Sequence, residues 1–411
     1  MMKAPEIMAP VGSPESLAAA LKAGADAVYF GLGRLNMRSR SRNNYTPDDL
    51  PDITARCREY GTKTYLALNT VLYDEDLDTM RSMVDAAARS GVSAVISSDP
   101  AVMNYVRSAG LPVHISTQCN ITNIETVAFY SQWADVMVLA RELNLDQVAE
   151  IHRQIQERDI RGPGGQRVRL EVFIHGALCM AVSGKCYLSL HTHNSSANRG
   201  ACIQNCRRPY TVTDRHSDTE LEIDNEYIMS ASDLCTIGFL DKVLDAGVEV
   251  LKIEGRGRSA DYVHTTVTCY REAVEAIRDG SWSPEKIRRW EEELATVYNR
   301  GFWDGYYLGR KMGEWSDVHG SKATVKKVYL GPARNFYANL GVGVFQVETG
   351  TLQSGDRIMV TGPSTGVVTT TAAELRVDDR VVPEVGKGDL FSTAVPEKIR
   401  RSDKLYKLIP A

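Results

Sequence analysis

No stretch of this sequence approaches the roughly 18 consecutive apolar residues of a membrane-spanning helix, and Met1 to Ile7 holds no apolar run of signal-peptide length. The expectation is a cytoplasmic protein with no membrane partner. An excess of charge is missing too: 48 Lys and Arg against 52 Asp and Glu leave a net −4. That is too little for a global field, so a nucleic acid would have to meet a local basic patch. Low-complexity segments are absent, and a composition of 43% apolar and 24% charged residues suits a soluble chain with a large core. The chain also lacks a His-Glu-x-x-His zinc motif, a Gly-x-Ser-x-Gly elbow between a strand and a helix, and the Cys-x3-Cys-x2-Cys spacing of radical enzymes. The common hydrolase signatures therefore do not apply.

Over the first 260 residues one phrase recurs: an amphipathic stretch, a Gly, then a run of strand formers within about four residues. Examples are Gly24 before Ala27 to Phe30, Gly61 before Thr64 to Leu68, Gly91 before Ala94 to Ile96, Gly110 before Pro112 to Ile115, and Gly247 before Val248 to Leu251. Gly just past a helix takes the left-handed conformation without a Cβ penalty. Ser13-Pro14, Thr46-Pro47 and Asp99-Pro100 mark helix starts by a capping side chain followed by Pro. The strands fall at about 6–10, 27–31, 63–69, 94–98, 112–117, 136–140, 169–175 and 248–254, with a ninth piece at 227–231. Eight strands alternating with helices predict a (β/α)8 TIM-like barrel, with an open doubly wound sheet as the alternative. The expected division is a barrel over 1–260 with a cysteine-rich insertion at 176–228, a helical connector over 261–319, and a small all-β barrel over 320–411, where short strands alternate with Gly, Pro and Asp turns.

Cysteine is sparse except in and just after the insertion: five of eight, Cys179, Cys186, Cys202, Cys206 and Cys235, fall within 57 residues, the first four of them inside the insertion. Clustered thiols in a reducing compartment bind metal or do redox chemistry more often than they form disulfides. Cys179 and Cys186 have six residues between them, and Cys202 and Cys206 have three. Two such pairs brought together supply four thiolates, enough for an iron-sulfur cluster or a zinc ion, or they are ordinary thiols. Spacing alone leaves these open.

In a barrel the chemistry sits at the strand C-termini. Those ends carry Asn69, Gln118, Cys119, Arg141, His175, Lys252, Glu254 and Arg256. His175, Glu254 and Arg256 are placed for acid, base or charge-stabilising roles, and Cys119 is a conceivable nucleophile. Arg38, Arg199, Arg207 and Lys252 are the substrate-binding candidates for a carboxylate ligand, the kind that the family resemblance given below implies, because guanidinium forks and ammonium groups grip carboxylates. Candidate RNA-facing clusters are Arg34, Arg38, Arg40 and Arg42; Arg161, Arg167 and Arg169; and Lys398, Arg400, Arg401, Lys404 and Lys407.

The run from Glu171 to Ser189, Asn198-Arg199-Gly200 before the second cysteine pair, and Leu251 to Arg256 resemble the collagenase-like peptidase family U-32. Within it the likeness is to the branch that makes 5-hydroxyuridine in bacterial tRNA. The resemblance implies oxygen-independent hydroxylation of the wobble uridine at C5, prephenate as the hydroxyl source, and a 4Fe-4S cluster on Cys179, Cys186, Cys202 and Cys206. Related branches act on rRNA or on ubiquinone precursors, and Cys235 would suit the cysteine pattern of the latter. A peptidase and a non-catalytic RNA-binding protein braced by metal are further alternatives.

Overall fold

The computed structural model describes residues 4–40, 44–211, 227–310, 313–317 and 320–411. Nine strands occupy the first part of the chain: β1 Glu6–Pro10, β2 Ala27–Gly31, β3 Lys63–Leu68, β4 Ala94–Ser97, β5 Val113–Ile115, β6 Ala134–Val138, β7 Arg169–Gly176, β8 Asp233–Cys235 and β9 Val250–Ile253. The helices are α1 Pro14–Lys22, α2 Leu50–Glu59, α3 Leu77–Ser90, α4 Pro100–Ser108, α5 Ile124–Tyr130, α6 Leu145–Glu157, α7 Leu188–His193, α8 Leu240–Asp245 and α9 Ala260–Asp279.

Strands β1 to β7 pair in sequence as parallel neighbours, and β9 pairs with both β7 and β1. This closes an eight-stranded parallel barrel, and the open-sheet alternative falls away. Closure follows from composition: Ile, Val, Leu and Ala on the outer faces of the strands need helices over them, and the capped helices supply that layer. Strand β8 is not a barrel member. It runs antiparallel to the end of β7, with His175 opposite Cys235, and lies two residues beyond the predicted ninth piece.

Helix α9 follows β9 and buries Val263, Val267, Tyr270, Ala273 and Val274 in the same core as the other barrel helices. The helix expected to open a connector at 261 is thus the barrel's eighth outer helix; its apolar stripe faces the strands, which a linker would not need. A tenth helix, α10 Pro284–Ala295, packs beside it through Trp290 and Leu294.

The two-residue β10 Phe302–Trp303 pairs parallel with β8. From Val325 the chain is antiparallel: β11 Val325–Tyr337, β12 Val342–Gln346, β14 Arg357–Gly362, β15 Gly366–Thr371, β16 Leu375–Val377, β17 Arg380–Val382, β19 Leu390–Ala394 and β20 Lys404–Pro410 form one eight-stranded sheet. Between these, β13 Thr351–Gln353 pairs with β18 Glu384–Gly386. They enclose a separate core that includes Leu330, Phe345, Val360, Phe391 and Leu405. The β14–β15 turn carries the one Gly-x-Ser-x-Gly string, Gly362 to Gly366, so that string is a hairpin and not a strand-to-helix elbow. This hairpin rests on α1: a Cβ on Gly366 would stand 2.9 Å from the Ala19 nitrogen. Lys22 to Glu397 and Lys327 to Asp261, each 2.6 Å, flank the contact.

Candidate active site at the barrel mouth

Side chains alternate across a strand, so every second residue enters the barrel. Met8, Tyr29, Tyr65, Ile96, Val136 and Val250 fill the interior, together with charged groups that burial forces into pairs. Glu6 accepts from Lys63 Nζ and Tyr65 Oη, each at 2.6 Å, and from Arg169 at 3.3 Å. Higher up, Lys252 Nζ donates to Glu171 Oε1 at 2.6 Å, with both side chains almost inaccessible. Burial raises the Glu171 carboxyl, and the Lys252 charge opposes that rise.

Above this pair, at the C-terminal mouth, lies a cavity of about 120 Å³. Its walls come from the loop after β2, the ends of β3, β5, β7 and β9, and the cysteine-rich insertion. Among the described residues four cations line it, Arg38, Arg141, Lys252 and Arg256, against one carboxylate, Glu254. Arg38 Nε and Nη2 donate to Glu254 Oε1 at 3.2 and 2.6 Å, and Tyr29 Oη donates to Oε2 at 3.2 Å. Burial alone would raise the Glu254 carboxyl; Arg38, Arg256 and Arg141 outweigh it and hold the group down at about 2. Glu254 is therefore a fixed anion near neutrality, unsuited to take up a proton. Arg256 is 7% exposed and donates to Asn36 Oδ1 at 3.2 Å, while its Nε has no partner among the described residues. Arg141 lies 3.7 Å over the Phe173 ring, donates to the Ala177 carbonyl at 2.7 Å, and likewise has an unpartnered Nε. Two orphaned guanidinium N–H groups on one electropositive cavity fit an anionic ligand with carboxylate or phosphate oxygens.

All four cysteines of the two pairs line this cavity, and all are free thiols. The couples are bolted together by Arg207, the residue after Cys206: it donates to the carbonyl of Leu178, the residue before Cys179, and to that of Ala231, each at 2.5 Å. Gly200 lets the second couple approach, since with φ of +78° its Cβ would stand 2.1 Å from the Asn36 carbonyl oxygen. Cys202 Sγ accepts from the backbone N–H of Gln204 at 3.4 Å. Burial raises the Cys206 thiol; Arg207 opposes this, and the other three thiols add to it. Among the described residues no three His, Cys, Asp or Glu groups stand at metal-holding separations. The donor chemistry, four thiols on one cavity with cationic neighbours, nonetheless suits a thiophilic metal centre.

Several expected site residues are elsewhere. The β7–β9 register shifts between Phe173 and His175, so Phe173 faces the cavity and His175 does not. Its ring packs against Tyr262, Tyr270 and Phe302, and burial, with Arg258 nearby, pushes its pKa down to about 3. His175 is a neutral structural ring. Cys119 lies outside the cavity lining, donates toward the Ser98 carbonyl at 3.7 Å, and is raised by burial, the opposite of an activated nucleophile. Cys235 is half-buried against Tyr270, and desolvation pushes it up to about 12. Arg199 stacks 3.9 Å over Tyr73 and pairs with buried Asp76, so it braces the insertion and leaves no free fork for substrate. Arg207 is committed to backbone carbonyls as described. Of the basic clusters, Arg161 and Arg167 share Asp159, and Arg169 pairs with Glu6 at the start of its strand. Arg42 lies outside the described residues. Sequence reading missed Asn36, fully buried, whose Oδ1 also accepts from the Arg38 N–H at 3.0 Å. Gly31 was the available signal, since a Cβ there would stand 2.4 Å from the Asn36 side chain.

Residues 12–317 match the family described as Peptidase family U32. A protein of Porphyromonas gingivalis named "Collagenase" is 57% identical over 402 residues, which cover 98% of this chain and 97% of that one. The "tRNA hydroxylation protein P1" of Bacillus subtilis is 31% identical over 88% of this chain and 84% of its own. The "23S rRNA 5-hydroxycytidine C2501 synthase" of Escherichia coli is 34% identical over 66% of this chain, a region that covers 39% of the longer protein. The chain belongs to peptidase family U32.

Proposed function

We propose that this protein is an RNA-modifying hydroxylase, acting in the cytoplasm on the C5 position of the wobble uridine of tRNA, with prephenate as the hydroxyl donor. The observation that carries the reading is the meeting of four free thiols and four cations on one cavity at the barrel mouth. The names of the Bacillus subtilis and Escherichia coli relatives support RNA hydroxylation as the reaction class.

A 4Fe-4S cluster held by Cys179, Cys186, Cys202 and Cys206 would supply a Lewis-acidic, redox-capable centre at the wall of the cavity. The chain's own residues bind and orient. Arg256 and Arg141 offer their unpartnered N–H groups to the donor's carboxylates, Lys252 adds positive charge beneath, and Glu254 holds the Arg38 fork in place. In net terms the base exchanges hydrogen for hydroxyl at C5, a two-electron oxidation, and the donor gives up its hydroxyl for hydrogen, a reduction by the same two electrons.

The test is expression in a host strain that lacks 5-hydroxyuridine, with nucleoside analysis of its total tRNA. The wild-type gene restores the nucleoside, and Cys179→Ala does not. Protein prepared without air should carry about four iron and four sulfide per chain and absorb in the visible range. Restoration by a Cys179→Ala protein that is free of iron would overturn the reading.

The name of the 57% identical relative raises a collagenase reading. Among the described residues no histidine lines the cavity, and its thiols come in pairs, so the thiol-imidazole couple of a cysteine protease is missing there. Anaerobically prepared protein is expected to leave denatured collagen intact.

A further inference from the structure

Outside the cavity, and sharing Arg38, Glu254 and three of the four cysteines as its inner wall, runs a second groove of about 480 Å³. Among the described residues five arginines line it, Arg38, Arg40, Arg207, Arg258 and Arg300, against Glu254 alone. Three have internal work: Arg38 holds Glu254, Arg207 bolts the insertion, and Arg300 pairs with buried Asp233 at 3.3 Å. The other two do not. Arg40 is exposed and has no carboxylate partner among the described residues. Arg258 lies flat, 3.5 Å over the Tyr298 ring, and also lacks a carboxylate partner among the described residues. Stacking fixes the plane of its guanidinium while leaving the N–H edge available.

We propose that this groove holds backbone phosphates of the RNA strand whose base enters the cavity, with Arg40 and Arg258 as the phosphate contacts. This rests on the RNA-modifying reading above. Three observations favour phosphodiesters here. The groove, at about 480 Å³, is far roomier than the inner cavity of about 120 Å³, so it has space for more than one phosphate group of a strand. Its unpaired charge comes from guanidinium groups, which match phosphate oxygens in fork geometry. In the cluster around Arg161 and Arg167 both guanidinium groups already engage the Asp159 carboxylate, so neither is as free for a phosphate as Arg40 or Arg258. A base must leave its stack to reach an enclosed site, and holding the flanking phosphates at the rim fixes the strand while it does so.

The test uses the full protein, prepared without air, and a fluorescent hairpin RNA with a single-stranded loop, titrated by anisotropy at several salt concentrations. Replacing both residues, Arg40→Ala with Arg258→Ala, should weaken binding about tenfold and reduce the salt slope by about 1.4, or about 0.7 for each single-strand phosphate that is no longer neutralised. The control pair Arg161→Ala with Arg167→Ala should leave both unchanged. Circular dichroism verifies that each variant is folded, and Arg40→Ala alone, at an exposed position, gives a second reading with half the slope change. An unchanged slope in the double variant, or an equal weakening in the control pair, overturns the groove assignment while restoration of the modified nucleoside by wild type leaves the enzyme reading standing. If wild type neither binds the hairpin nor restores the nucleoside, the enzyme reading fails and takes this one with it.

Discussion

Glu254→Gln offers the sharpest physical test of the cavity. In the native chain the carboxylate is held at about 2, against 4.5 for an unperturbed glutamate, by Arg38, Arg256 and Arg141. The difference is about 2.5 pKa units, so ionised Glu254 contributes about 3 kcal/mol to stability near neutrality. Because the folded pKa lies below the unfolded one, the contribution is fully present above about pH 4.5 and is lost as pH falls toward 2. The glutamine variant keeps the shape and some hydrogen bonds but leaves three neighbouring cations without their anion. Chemical denaturation of wild type and variant, both prepared without air, should give a gap of about 3 kcal/mol at pH 7 that narrows to about 2.6 at pH 4 and about 1.4 at pH 3. A gap that stays constant with pH, or a variant more stable than wild type at pH 7, would refute the claim that this carboxylate is the counter-ion of the cluster.

Other outcomes follow from the same geometry. Gly200→Ala would force a Cβ to 2.1 Å from the Asn36 carbonyl at a φ of +78°, so it should cost about 2–4 kcal/mol and lower the iron bound per chain, read by melting and metal analysis. Arg199→Ala leaves the buried Asp76 carboxylate only Arg34, at 3.5 Å, and the Tyr73 N–H, and should destabilise by about 1–3 kcal/mol, yet change the KM for the donor by less than about twofold; a large KM change would restore Arg199 as a substrate ligand. His175 is pushed down to about 3, so the unfolded chain takes up a proton below pH 6.5 that the native ring refuses. Wild type therefore loses stability as pH falls from 6.5 toward 3, and His175→Phe should remove up to about 1.4 kcal/mol per pH unit of that slope while leaving activity between pH 6.5 and 8 within about threefold.

The barrel was legible in the sequence because its grammar is local. Gly24, Gly61, Gly91, Gly110 and Gly247 end helices through a backbone preference that needs no tertiary partner, and all five have positive φ in the structure. The paired capping signals act over three or four residues, and Ser13 and Asp99 accept the helix N–H bonds expected of them. Strand positions followed to within a residue or two. The exception at β8 is instructive: a three-residue strand held only by the ends of its neighbours has no periodicity of its own to read.

The site divides differently. Residue types at strand ends, and four thiols in two couples, are written in the chain, because strand ends of a barrel converge by topology and the couples sit on one insertion. Which of those side chains face the cavity is not written there, since a single irregularity after Phe173 turns His175 out of the barrel and no local pattern announces it. Nor does the sequence show which arginines are already spent: Arg199 on Asp76, Arg207 on two carbonyls and Arg38 on Glu254 differ from Arg40 and Arg258 only through partners 24 to 216 residues away along the chain. Local propensity fixed the scaffold and the chemical types at its mouth; long-range packing, which alone sets burial and partner, decided which of them remain available to a ligand.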